Sequence, residues 1–127
     1  MGNMNCSCSK HSEVLVQSEA SWNGKRYESY PVGIPQLTVV RMTIPARSSL
    51  PWHTHAMPNA AYIISGQLTL EERATGRTHT FVAGEAFPES VNDIHRGTTG
   101  DEDTVVIVTY ATVAGLPLSE EASSGDQ

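Results

Sequence analysis

Apolar side chains fall at alternate positions in a series of short runs, the period of a β-strand with one buried face. Leu37-Thr38-Val39-Val40-Arg41-Met42-Thr43-Ile44 is the first strong run, dense in β-branched residues and ended by Pro45. Asn59 to Ser65 reads as another strand, carrying Tyr62, Ile63 and Ile64, and Gly66 allows the turn after it. Gln67 to Arg73 alternates, with Leu68 and Leu70 on one face. Ala74 to Arg77 is a hairpin loop, with Thr78 to Val82 as the returning strand. Thr104 to Thr112 reads as a strand buried on both faces. A short strand is expected over Tyr27 to Val32, after a turn at Trp22-Asn23-Gly24-Lys25. No stretch has helical periodicity. The chain is therefore expected to be all-β, an antiparallel sandwich or barrel.

At 127 residues the chain has room for one domain with a single modest core. Its expected extent is 21–115, between a flexible leader over 1–20 and a Ser- and Glu-rich tail over 116–127 that reads as disordered. Acidic side chains outnumber basic ones 14 to 8, and no basic cluster exists, so nucleic acid is not an expected partner. No apolar run approaches the roughly 20 residues of a membrane span. The N-terminus lacks the apolar core of a secretion signal, so the expected location is cytoplasmic. Cys6 and Cys8 are too close in sequence for an unstrained mutual disulfide. They read as exposed thiols, or with His11 as a site for a stray metal. Met1-Gly2 opens like a myristoylation signal, but Cys6 stands where Ser or Thr is wanted.

The chemistry concentrates between residues 51 and 95. His53 and His55 are two apart, so on a strand both imidazoles share a face and can grip one metal ion. The segment from Gly84 to His95 can bring in a third imidazole, His95. Three such nitrogens suit one divalent transition metal, Fe, Mn, Ni, Cu or Zn, and leave positions open for water, substrate or dioxygen. Glu89 is the candidate fourth contributor. If Ser90 to Asp93 makes a turn, Glu89 and His95 stand on adjacent antiparallel strands, and Glu89 is a ligand, a partner orienting an imidazole, or a general base. Its other reading is a solvated carboxylate at the rim. Tyr62, Tyr110 and Trp52 either line a cavity or fill the core, and Tyr62 is retained with Glu89 as a candidate catalytic group. Arg41 is either turned inward to hold a carboxylate or on the surface. His79, in a polar hairpin, reads as exposed.

With these residues in place the chain resembles the cupins, a family of small metal-binding β-barrels. The family's first motif has a glycine, five residues, His-x-His, three or four residues, Glu, six residues and Gly. His53, His55 and Gly66 match it; Arg47 stands at the leading glycine and Asn59 at the glutamate. The second motif has Gly, five residues, Pro-x-Gly, two residues, His, three residues and Asn. Gly84 and His95 match, while Ser90, Asn92 and Thr99 stand where Pro, Gly and Asn are usual. The likeness runs from about residue 36 to 112. It implies a jelly-roll barrel, the double-stranded β-helix, with one metal at the histidines, a small-molecule substrate or ligand, and a homodimer. Asn59 offers only a neutral carbonyl oxygen, a weak ligand, which would leave the metal more positive and favour either an anionic substrate or an empty site. Three functions come into question. The expected one is a small metalloenzyme of the oxygenase, isomerase or lyase class; the alternative is a non-catalytic barrel that binds a small ligand; the third, a structural or interaction protein with a vestigial site, is disfavoured by the three histidines in register.

Overall fold

The computed structural model describes residues 9–123. Cys6 and Cys8 lie outside them, as does the opening Met1-Gly2. Among the described residues there is no helix, and hence none long and apolar enough to cross a membrane. The strands are β1 (Pro35–Ile44), β2 (His53–Thr54), β3 (Asn59–Ser65), β4 (Gln67–Glu72), β5 (Thr78–Val82), β6 (Ala86–Glu89), β7 (His95–Thr99), β8 (Thr104–Val113) and β9 (Glu120–Glu121). They form two antiparallel sheets, one in the order β1-β8-β3-β6 and the other β5-β4-β7-β2-β9. This is the all-β jelly roll expected from the sequence.

The two inner faces meet in one core of Ile44, Met57, Ala61, Ile63, Leu68, Leu70, Phe87, Val106, Val108 and Tyr110. Strand parity decides membership. In β1, Val40, Met42 and Ile44 turn inward while Leu37, Val39 and Arg41 stay exposed. In β4, Leu68 and Leu70 are both buried, as their spacing requires. β8 differs from its expectation: only one face is fully buried, and Thr109 on the other is exposed.

Two expectations for the chain ends change. Tyr27–Val32 forms no strand; Tyr27 instead donates its hydroxyl to the Glu89 backbone carbonyl at 2.6 Å, and Trp22 N–H bonds the Pro88 carbonyl. The expected disordered tail is docked as far as Ser123. Leu116 and Leu118 pack on the core, β9 pairs with β2, and Ala122 N–H donates to the Trp52 carbonyl at 2.8 Å. The Ser- and Glu-rich composition carried no sign of those backbone partners.

The loops keep backbone shapes that usually call for glycine. Arg47 and Asn92, at two motif positions where glycine is usual, have φ of 51° and 56°. Asn tolerates this region through its short polar side chain; Arg bears the steric cost. At Gly66, with φ 80°, an added Cβ would lie 2.5 Å from the Asp103 carbonyl oxygen, so a side chain is barred twice over.

Candidate metal centre

Four side chains converge at one end of the space between the sheets. His53, His55, Glu89 and His95 each offer an atom, and those atoms lie within 4.8 Å of one another. The three rings have centroids 4.5 to 5.1 Å apart. His53 and His95 are direct cross-strand partners between β2 and β7, which explains how residues 42 positions apart in the chain meet. Pairing with β9 on the other side holds β2 in place despite its two-residue length.

The outer nitrogen of every ring is tied to the backbone. Nδ1 of His53 lies 2.7 Å from the Pro51 carbonyl, that of His55 2.9 Å from Leu118, and that of His95 2.8 Å from Asp93. A carbonyl can only accept, so each Nδ1 carries the proton. The neutral tautomer of each ring then presents an Nε2 lone pair. His95 Nε2 lies 3.0 Å from Glu89 Oε1, within hydrogen-bond reach. His55 Nε2 is 3.3 Å from the same oxygen but misaligned, and is left buried without a hydrogen-bond partner.

Glu89 arrives by a different route from the one expected. Ser90–Ile94 does turn, but β6 and β7 belong to opposite sheets rather than pairing. The carboxylate and the His95 ring meet across the barrel interior. On its own sheet Glu89 is the register partner of Asn59, and Asn59 is that of Tyr110. Asn59 is buried on the inner face; its Nδ2 donates to the Met57 carbonyl at 3.3 Å, and its Oδ1 has no partner.

The charges respond to this burial. Burial alone would raise the pKa of Glu89, but the His55 and His95 imidazoles beside it pull it well below the usual carboxylate range. Burial depresses His55, and Glu89 with the Leu118 carbonyl more than reverses that, leaving it raised. His53 is lowered, by burial first and then by His95. A carboxylate held ionised amid three oriented imidazoles is a donor set suited to a divalent cation.

A cavity of about 40 Å³ opens from these groups toward the core. Its floor includes Ile44, Leu68, Leu70, Phe87, Val106 and Val108. Tyr110 lines it, with its ring 5.8 Å from that of His55. Tyr62 does not: it lies on the opposite face of β3, 38% exposed, because it differs in parity from Asn59, Ala61 and Ile63. Arg41 and His79 are exposed, and Trp52 stacks under the Arg96 guanidinium, 4.3 Å from the ring centroid. Sequence reasoning missed the contribution of Leu118, whose role is carried by a backbone carbonyl.

The family model described as Cupin domain matches residues 40–110, more than half of the chain. No curated protein matches it. Among solved structures, the polyketide cyclase RemF from Streptomyces resistomycificus is similar with a TM-score of 0.58 and 20% identity, over 74% of this chain and 65% of that one. The DMSP lyase DddQ from Ruegeria pomeroyi is similar with a TM-score of 0.62 and 14% identity, over 82% of this chain and 49% of that one. A cupin-like protein from Thermotoga maritima gives a TM-score of 0.58 and 16% identity, over 72% and 68%. The chain thus spans less than two thirds of the cyclase and about half of the lyase. At these identities the likeness is one of fold.

Proposed function

We propose that the chain, which belongs to the cupin family, holds one divalent transition metal at His53, His55, His95 and Glu89 and is a metalloenzyme acting on a small organic molecule. The observation that carries this reading is the orientation of the rings. Each Nδ1 is spent on a backbone carbonyl, so three Nε2 atoms face a single carboxylate, and the buried His55 Nε2 has no hydrogen-bond partner. A cation between them satisfies all four at once. Three imidazoles and one carboxylate suit iron, manganese, nickel, copper or zinc.

Such an ion supplies Lewis acidity and, for iron, manganese or copper, redox chemistry. The protein's own part is separate. Backbone carbonyls hold the rings, Tyr27 anchors the Glu89 main chain, and the apolar floor excludes water from whatever lies on it. The reaction belongs to the oxygenase, isomerase or lyase class. That a cyclase and a lyase share the fold agrees with small-molecule chemistry, without indicating a particular reaction. Exposed Leu37, Val39, Tyr62 and Ile64 on the outer face of one sheet support a homodimer.

One observation favours the alternative, a non-catalytic ligand-binding barrel. Among the described residues Glu89 is the only carboxylate on the cavity wall and lies against two imidazoles, which leaves no free carboxylate there as general base. Elemental analysis of protein purified without added metal tests the site. One equivalent of a transition metal, lost when His53, His55 and His95 are replaced by alanine, is the expected result; a stoichiometric ion retained by that triple variant refutes it. Turnover of small acids or phenols under air then separates enzyme from binder.

A further inference from the structure

The register of the two sheets sorts the barrel interior into rows. Tyr110, Asn59 and Glu89 lie side by side across β8, β3 and β6, and the next inward row is Val108, Ala61 and Phe87. In the facing sheet His95 lies in β7, with Gly97 beside Leu70 next to it and Thr99 beside Leu68 beyond. The cavity therefore has two different ends. Its polar end holds the four ligating groups and Tyr110; its other end is hydrocarbon.

Among the described residues Tyr110 supplies the only hydroxyl on the wall, and no lysine or arginine lines it. The residue is only 4% exposed, and among the described residues its hydroxyl makes no hydrogen bond. A phenol is a hydrogen-bond donor at neutral pH, so the Tyr110 hydroxyl can offer its proton to an oxygen beside it. The hydroxyl is therefore available to donate to a group bound in the cavity that Tyr110 lines. Below it, 40 Å³ has room for roughly three water-sized groups. Among the described residues, no side chain on that floor could pair a second charge or a second hydroxyl.

We propose that the substrate is a compact molecule with a single oxygen function, held at the histidine–carboxylate centre and hydrogen-bonded by Tyr110, with a short hydrocarbon remainder on the apolar floor. This rests on the metal reading above. Specificity then has two sources. Tyr110 selects an oxygen that can accept a hydrogen bond beside His55, and the floor rejects a polar or charged far end, which would be buried there without a partner. The earlier expectation of an anionic substrate narrows accordingly: a charge fits at the metal end only.

The test uses full-length protein loaded with Co(II), whose visible absorption reports ligands entering the metal's shell. Acetate, butyrate and succinate are the probes. Butyrate is expected to bind on the order of tenfold more tightly than acetate, from two added methylenes. Succinate, which replaces the butyrate methyl by a carboxylate, is expected to bind at least about tenfold more weakly than butyrate. Tyr110→Phe removes the hydroxyl and keeps the ring; it should take up Co(II) with unchanged affinity and bind butyrate roughly tenfold to a hundredfold more weakly. Succinate binding as tightly as butyrate, or Tyr110→Phe binding butyrate as well as the parent, overturns the proposal. Failure of the parent protein to take up Co(II) at all overturns the metal reading, and this inference with it.

Discussion

Removal of residues 116–127 should loosen the metal without unfolding the barrel. The described residues of this segment touch the site side chains through the Leu118 carbonyl, which accepts from His55 Nδ1 at 2.9 Å, and support His53 through the pairing of β9 with β2. The segment is kept there by that pairing and by the bond from Ala122 N–H to the Trp52 carbonyl. Without it the His55 ring is free to rotate and to exchange tautomers. Loss of such an orienting partner costs about 10- to 100-fold in metal affinity, or roughly 1.4 to 2.7 kcal/mol.

The same deletion strips Leu116 and Leu118 from the edge of the core, so packing and orientation must be separated. Leu118→Ala does this, because it trims the side chain and keeps the carbonyl. It should lower stability by about 1 kcal/mol, the worth of a half-buried leucine's lost methyl groups, while metal affinity stays within about twofold. Competition with a chromophoric chelator gives the affinities, and chemical denaturation of the metal-free proteins gives the stabilities. Because coupling is reciprocal, bound metal should also slow hydrogen exchange at the Ala122 amide. A folded truncation with full affinity, or a Leu118→Ala variant that loses as much as the truncation, would refute the role given to the carbonyl.

Three further outcomes are expected. Metal affinity should rise with pH through and above 6.5, because the raised pKa of His55 means a proton must leave Nε2 before a metal can enter; Glu89→Gln removes the main cause of that rise and should shift the curve to lower pH, as calorimetric titration in paired buffers would show. Glu89→Gln should also weaken binding by at least about tenfold through loss of an anionic ligand, and adding Asn59→Glu should recover a good part of it, which the same chelator competition measures. Gly66→Ala should destabilise the fold by about 2 kcal/mol or more, read from denaturant midpoints, since it combines a left-handed backbone angle with contact against the Asp103 carbonyl.

Most of the longer strands, and the shared face of His53 and His55, were legible in the sequence because both depend on parity. His53 and His55 share a face at spacing two, and Leu68 and Leu70 do the same. Parity also separates Tyr62 from Asn59, and applying it across the whole of β3 would have placed Tyr62 outside. Tyr110 was harder, because the run from Thr104 to Thr112 is apolar enough on both faces to hide which one is buried. The docking of residues 116–123 was not legible, because it combines two isolated leucines, too few to set a periodic pattern, with main-chain bonds that any sequence can make. Composition therefore described that segment's solubility and missed its position.

Asn59 marks where a linear motif and a sheet carry different information. Along the chain, Asn59 and Glu89 are 30 positions apart, and the first stands where the family pattern wants a carboxylate. Across the sheet they are adjacent, on one face and in one row, beside Tyr110. The charge missing from β3 is available one strand over, about 5 Å away at the backbone, with its oxygen within 3.3 Å of two imidazole nitrogens. Sheet register makes such an exchange cheap, because neighbouring inner-face positions point at nearly the same volume from different strands. A departure from a strand motif is therefore best judged after asking what faces the same space from the next strand, and here that residue is Glu89.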